Sequence, residues 1–186
     1  MRNALAKLKT ALAAVAIALT TSTPVLAQNY DLDPLFDALR TAEGPAAEEI
    51  EARIWAEWSK SGSSAMDLLL ERGRDALNAG NTNLAIEHFT ALIDHAPDFA
   101  EAYNARATAY FQADLYGPSI EDIRQTLVRN PRHFGALSGL AAILEELGYD
   151  ETALEASRAV EAIHPNRAGL REAIERLEQA VEGEAL

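Results

Sequence analysis

The sequence predicts an all-α protein, built as a solenoid of stacked helix pairs. Prolines at positions 97, 131 and 165 recur every 34 residues, each at the end of an apolar helical pattern. Hydrophobic residues make up 48% of the chain and aromatic residues only 6%. Alanine and leucine are the most frequent hydrophobic residues, which favours packed helices over sheets. A fixed period of about 20 to 50 residues is typical of repeat architectures.

Residues 1–27 are predicted to be a secretory signal peptide. Basic residues come first, and an apolar stretch of about 11 residues follows Lys9, too short to cross a bilayer. Val25, Leu26 and Ala27 supply a small-residue cleavage site, which would leave Gln28 as the first mature residue. The protein is therefore expected to be exported, to the periplasm if its source is a Gram-negative bacterium. No stable membrane insertion is expected after cleavage.

Residues 28–65 are predicted to form an N-terminal helical pair. When the 34-residue period is extended back from the first full unit, Trp55 and Trp58 fall at positions 24 and 27, where large apolar residues recur in the later units. Glu51 falls at position 20, where the later units have a small residue. We therefore interpret the pair as a degenerate first repeat.

Three full units are predicted at residues 66–99, 100–133 and 134–167. Each unit has two helices, A and B, and small residues recur at its eighth and twentieth positions, where the two helices would approach closely. These residues are Gly73, Ala107 and Ala141 at the eighth position and Ala85, Ser119 and Ala153 at the twentieth. Gly80 and Gly148 should end helix A of the first and third units. In the second unit the turn is predicted at "LYG", residues 115–117.

Residues 168–186 are predicted to form a capping helix and tail. Leu170, Ile174, Leu177 and Val181 follow one another at helical spacing, with charged residues between them. A helix of this kind covers the open end of a solenoid.

The three units resemble the tetratricopeptide repeat (TPR), with small residues at positions 8 and 20 and proline at position 32. The second unit, "AEAYNARATAYFQADLYGPSIEDIRQTLVRNP", carries the pattern best. Arg106, Thr126 and Ser157 depart from it without breaking the register. The resemblance implies a right-handed α-solenoid whose A helices line a concave groove.

The residues that could carry chemistry do not assemble into a catalytic motif. The sequence has no glycine-rich phosphate loop, no nucleophile elbow and no cysteine, so we expect neither an enzyme nor a cofactor. His88 and His95 are about two helical turns apart, too far to share a metal ion. His133 and His164 lie beside loop prolines, where polar residues are ordinary. The formal net charge of −13 excludes general nucleic-acid binding.

The resemblance implies that positions 2, 5, 9, 12 and 13 of each A helix face the groove. The candidate partner-binding residues there are Arg74, Asn78, Asn104, Thr108, Phe111, Gln112, Ser138 and Glu145. Phe111 is expected to be an apolar anchor without a partner in its own unit, and Glu101 an acidic residue of the rim. Leu70 and Gly135 occupy positions where TPR proteins that hold acidic chaperone tails have lysines, so that clamp is not expected.

The sequence therefore indicates an exported scaffold whose groove binds another protein or peptide, in assembly or maintenance of the cell envelope. An alternative is a structural protein that self-associates through the Trp55/Trp58 end. The sequence leaves the oligomeric state open.

Overall fold

The computed structural model describes residues 31–184, so the predicted signal peptide lies outside the described residues. This part of the chain folds into helices and contains no strand. The helices are α1 (Asp33–Leu39), α2 (Gly44–Trp58), α3 (Ser64–Asn78), α4 (Thr82–His95), α5 (Ala100–Gln112), α6 (Tyr116–Arg129), α7 (Phe134–Glu146), α8 (Asp150–Ile163) and α9 (Leu170–Glu184).

The six central helices form three consecutive A/B pairs, which are α3/α4, α5/α6 and α7/α8. Each B helix packs on the A helix of the next unit, and α9 packs on α8. Leu170, Ile174 and Leu177 of α9 are buried there. The predicted all-α solenoid is therefore confirmed. Within residues 31–184, no helix is both long and apolar enough to cross a membrane.

In each unit, the turn between helices A and B contains one residue with a left-handed backbone conformation, at the same position of the 34-residue repeat. Gly80 and Gly148 both have φ of +76°, and Asp114 has φ of +57° in the second unit. Aspartate tolerates this conformation better than most residues with a side chain. The prediction of a turn at residues 115–117 is therefore wrong. The observed turn is at Asp114, and Gly117 is already in α6.

The small residues lie where helices A and B of one unit approach each other. Ser119 Oγ donates a hydrogen bond of 2.8 Å to the carbonyl oxygen of Ala107. A Cβ at Gly73 would lie 2.2 Å from the ring of Phe89, which is fully buried. The predicted A–B contact is thus present in the first two units.

Gly73→Ala should therefore destabilise the protein. The added methyl group meets a packed aromatic ring, and overpacking of this kind costs about 1–3 kcal/mol. Urea unfolding measures the loss. Gly117→Ala is the matched control, because a Cβ there meets nothing within 4 Å. Equal stability of the two variants would contradict the assigned packing.

The N-terminal pair does not continue the stack as the degenerate first repeat that the sequence indicated. In the repeats, α4 packs on α5 and α6 on α7, whereas α2 makes no comparable contact with α3. Instead α1 and α2 fold back onto the third unit. Phe36, Leu39 and Ile54 share one hydrophobic cluster with Phe134 and Val160.

Glu51 gives the physical reason for this difference. At position 20 of a stacked repeat its carboxylate would lie between two helices, where a charge without a partner is costly. In the observed arrangement Glu51 Oε2 lies 3.0 Å from Nε2 of His164. Folding back thus supplies the partner that stacking would not.

Candidate partner-binding groove

Helix α2 lies against the first turn of α7 and against the loop residues His133 and His164. This places it at one side of the face formed by the A helices α3, α5 and α7, which we call the groove. Just before the beginning of α2, in the connection from α1, the carbonyl oxygen of Ala42 accepts a hydrogen bond of 2.9 Å from Asn166 Nδ2 of the third unit. Just after its end, Arg74 Nη1 of the first unit donates one of 3.1 Å to Ser59 Oγ. The helix therefore runs from the third unit back to the first.

Both tryptophans of the chain enter one pocket, which we call the aromatic pocket; it is formed by His133, Phe134, Gly135 and His164. The Trp58 ring stacks on His133 with centroids 4.2 Å apart, and Trp55 meets Phe134 edge to face at 5.7 Å. A Cβ at Gly135 would lie 2.5 Å from the Trp55 ring. The absence of a side chain at this position therefore makes room for Trp55.

Glu101 connects the pocket to the first unit. Its carboxylate is 2% exposed and accepts hydrogen bonds from Arg74 Nη2 at 2.6 Å and from Asn104 Nδ2 at 3.3 Å. His133 Nε2 lies 2.9 Å from Glu101 Oε2, while its Nδ1 accepts from the backbone N–H of Ala136. These contacts assign the proton to Nε2, which donates to Glu101. The prediction that Glu101 lies exposed on the rim is wrong.

His164 anchors the other side of the pocket. Its ring is 1% exposed, and its Nε2 lies 3.0 Å from Glu51 Oε2 on α2. Arg167 Nε lies 3.8 Å from the other carboxylate oxygen of Glu51. A carboxylate on α2 is therefore held by an imidazole and a guanidinium of the third unit.

A cavity of about 600 Å³ adjoins the Trp58 side of the aromatic pocket. It lies between the N-terminal pair and the loops that join successive units, with Phe36, Glu57 and Arg129 in its lining. Glu57 Oε2 is buried without a hydrogen-bond partner. The N-terminal pair therefore fills the space beside these loops incompletely.

No family model matches the chain. It is 36% identical over 153 residues to a TPR repeat-containing protein of Rhizobium etli, covering 82% of this chain and 75% of that protein. The chain belongs to the TPR repeat-containing proteins.

Solved TPR structures share the fold at low sequence identity. The Sgt2 TPR domain from Aspergillus fumigatus has a TM-score of 0.62 and 21% identity, over 66% of this chain and 83% of that chain. The first TPR of Spaghetti (RPAP3), bound to the HSP90 peptide SRMEEVD, has a TM-score of 0.61 and 23% identity, over 63% and 93%. MamA has a TM-score of 0.59 and 21% identity, over 81% and 75%. The TPR assignment made from the sequence is confirmed.

Three of the predicted groove residues already have partners in the TPR chain itself. Arg74 contacts Ser59 and Glu101, and Asn104 also contacts Glu101. Ser138 Oγ donates to the carbonyl oxygen of Phe134 and accepts from Arg167. These three residues lie in the half of the groove nearest the N-terminal pair, and they are already hydrogen-bonded within the chain.

Two further predicted residues contact other parts of the repeats. Phe111 is half-buried with its ring 5.9 Å from that of Tyr116, so the expectation of an unpartnered anchor is wrong. Glu145 Oε1 accepts from Arg176 Nε of α9 at 2.7 Å, and this hydrogen bond lowers the pKa of Glu145 below its usual value.

The remaining three predicted residues are exposed and define the open half of the groove; they are Asn78, Thr108 and Gln112. Asn78 lies at the end of α3, and the other two lie in the last turns of α5. No cluster of three or more metal-ligating side chains occurs within the described part of the chain.

Sequence reasoning missed the aromatic pocket. It placed His133 and His164 on an ordinary loop surface, although both are buried. One signal could have pointed to the pocket, namely Gly135 at the second residue of α7, where no turn requires glycine. A glycine inside a helix often permits close approach of another group.

Proposed function

We propose that this TPR protein is an exported scaffold that binds a segment of a partner protein in its groove, in the assembly or maintenance of the cell envelope. Binding is by a preformed surface and involves no bond chemistry. The predicted signal peptide, with its basic start and short apolar stretch, supports export.

One observation carries the proposal, which is that the groove already accommodates a helix. Helix α2 contacts it at the first turn of α7, where its two aromatic side chains lie against Phe134, and just after its end Ser59 accepts a hydrogen bond from Arg74 of α3. Beside α2, the open half presents Asn78, Thr108 and Gln112 to solvent. Helices laid into a groove through spaced apolar anchors are a common mode of peptide recognition.

The similar structures support a peptide partner in general but a different chemistry here. The Spaghetti (RPAP3) domain is bound to an HSP90 peptide, and the TPR2B domain of yeast Sti1 is in a complex with Hsp70. In this chain Leu70 is fully buried, and the space at Gly135 is taken by Trp55. Neither position can offer a cation to an acidic tail, so the proposed partner is not held by that lysine clamp.

Self-association through the tryptophans is less well supported. Trp55 and Trp58 are half-buried and contact His133 and Phe134 of their own chain. A homo-oligomer that used them would first have to break these contacts.

Photocrosslinking in intact cells tests the proposal. A photoreactive phenylalanine analogue at Gln112 should yield a defined adduct with one partner, because this side chain lies exposed in the open half. The same analogue at Arg124, which is exposed on a B helix, is the control and should yield no such adduct. Mature protein from the osmotic-shock fraction should begin at Gln28.

Two outcomes would contradict this proposal. An adduct formed equally from both positions would show that the groove has no special role. Retention of the first 27 residues on a cytoplasmic protein would remove the envelope function.

A further inference from the structure

The docking side of α2 presents three residues at helical spacing. Glu51, Trp55 and Trp58 follow one another at intervals of four and three, so they share one face. Trp55 Nε1 also donates a hydrogen bond of 3.2 Å to Glu51 Oε1, which fixes the two side chains relative to each other. Together they present one carboxylate and two indole rings to the groove.

The receiving side is held in place by the repeats. His133 is fixed by Glu101 of α5 and by the backbone N–H of Ala136 in α7, so its ring orientation does not depend on α2. Gly135 lies within α7 and leaves the space that Trp55 fills. The aromatic pocket is therefore largely preformed, which is the condition for binding a second helix of the same chemistry.

The attachment of α2 differs from that of the repeat helices. The helices of the three units pack closely along their backbones, whereas α2 approaches only α1 in this way and contacts the units through its side chains, namely Ile54, Trp55 and Trp58. The cavity beside Trp58 leaves part of the contact unfilled. A polar segment, residues 59–63, joins α2 to the first unit, with Gly62 at φ of +84°.

We propose that the aromatic pocket binds a partner helix that presents a carboxylate and two aromatic residues at the spacing found in α2. The N-terminal pair is then an internal competitor, which holds the pocket until such a helix displaces it. This inference rests on the proposed function, since it names the class of partner that the groove takes. A tethered segment acts at an effective concentration in the millimolar range, so it raises the concentration of partner needed.

Binding of a synthetic peptide spanning residues 31–60 of this chain tests the inference, measured by calorimetry on the mature chain. Trp55→Ala/Trp58→Ala in the protein removes the two indole rings that fill the pocket, while His133, Phe134, Gly135 and His164, which form it, are unchanged. This variant should bind the peptide at least about tenfold more tightly than the parent does, because the competitor is weakened. A peptide carrying the same two alanines should not bind.

A matched glycine pair identifies the site. Added to the Trp55→Ala/Trp58→Ala protein, Gly135→Ala should weaken peptide binding at least about tenfold, since its Cβ occupies the space for the indole. Gly139→Ala lies in the same helix, and its Cβ would meet only Ile123 Cδ1 at 3.7 Å. It should leave binding unchanged. Equal effects of the two substitutions would overturn the inference.

A second measurement covers the case in which the tryptophan variant does not fold. A protease site introduced at the exposed Gly62 of the parent chain allows the tether to be cut in the folded protein. Cutting should tighten the apparent peptide affinity at least about tenfold at micromolar protein, because the competitor is no longer held at high effective concentration. Unchanged affinity after cutting would overturn the inference. The crosslink from Gln112 would still stand, so this failure is distinct from failure of the proposed function.

Discussion

Phe134→Ala should cost about 3–5 kcal/mol of stability, as expected for loss of a buried aromatic side chain. The Phe134 ring is fully buried and lies 4.9 Å from Trp58, 5.7 Å from Trp55 and 5.5 Å from His164, measured between centroids. It is the residue at which α2, the first turn of α7 and the end of the third unit meet. Its removal should therefore loosen the N-terminal pair as well as the third unit.

Tryptophan fluorescence gives a readout specific to this site. The chain contains two tryptophans, and both lie against Phe134. In the Phe134→Ala variant the emission should shift to the red because the indoles gain contact with water. Urea unfolding measures the stability loss on the same samples.

Phe111→Ala is the control for the size of the effect. Phe111 is half-buried in a separate cluster with Tyr116, so its truncation should cost less and leave the fluorescence unchanged. If Phe134→Ala left the emission unchanged, the placement of α2 against the third unit would be wrong.

The repeats could be predicted from the sequence because their determinants are local and periodic. A proline every 34 residues and small side chains at two fixed positions set the register. Gly73 and Ser119 then lie at the A–B contact that this register requires. The turn of the second unit, which was predicted at the wrong residues, also follows the period, because Asp114 has the backbone conformation of the equivalent glycines, Gly80 and Gly148.

The position of the N-terminal pair could not be predicted in this way. An amphipathic helix that stacks on the first unit and one that folds into the groove have the same hydrophobic pattern. The distinction rests on single long-range contacts, such as Trp55 with Gly135 and Glu51 with His164. These contacts join residues that are far apart in the sequence, 113 positions in the case of Glu51 and His164, so no local rule specifies them.

The same limit applies to the groove residues. Position within the repeat predicted that Glu101 would be exposed on the rim, whereas its side chain is 2% exposed. Its burial comes from Arg74 of the first unit and from His133, which is the last residue of the second unit and directly precedes α7. Asn78, Thr108 and Gln112 remained exposed because α2 reaches only the half of the groove nearest the loops.

Arg106 occupies a position where TPR units usually have an apolar residue, and its replacement should have the second large effect. Its Nε and Nη2 donate hydrogen bonds of 2.7 and 2.9 Å to the two carboxylate oxygens of Asp122, and its Nη1 donates one of 3.1 Å to Thr90 Oγ1. The bonds to Asp122 raise the pKa of Arg106 above its usual value. Three helices, α4, α5 and α6, are thus joined by one guanidinium.

Arg106→Leu should therefore cost about 3 kcal/mol, because it leaves a buried carboxylate without a partner. Asp122 is 3% exposed and cannot regain water in the folded protein. The double variant Arg106→Leu/Asp122→Leu should recover most of the loss, since replacement of a whole buried pair by apolar residues is often close to neutral. Arg124→Leu, in the exposed pair with Glu121 on α6, should leave the unfolding midpoint unchanged. If the double variant were as unstable as the sum of its single variants, the cost would come from lost packing around Arg106 and not from the buried charge.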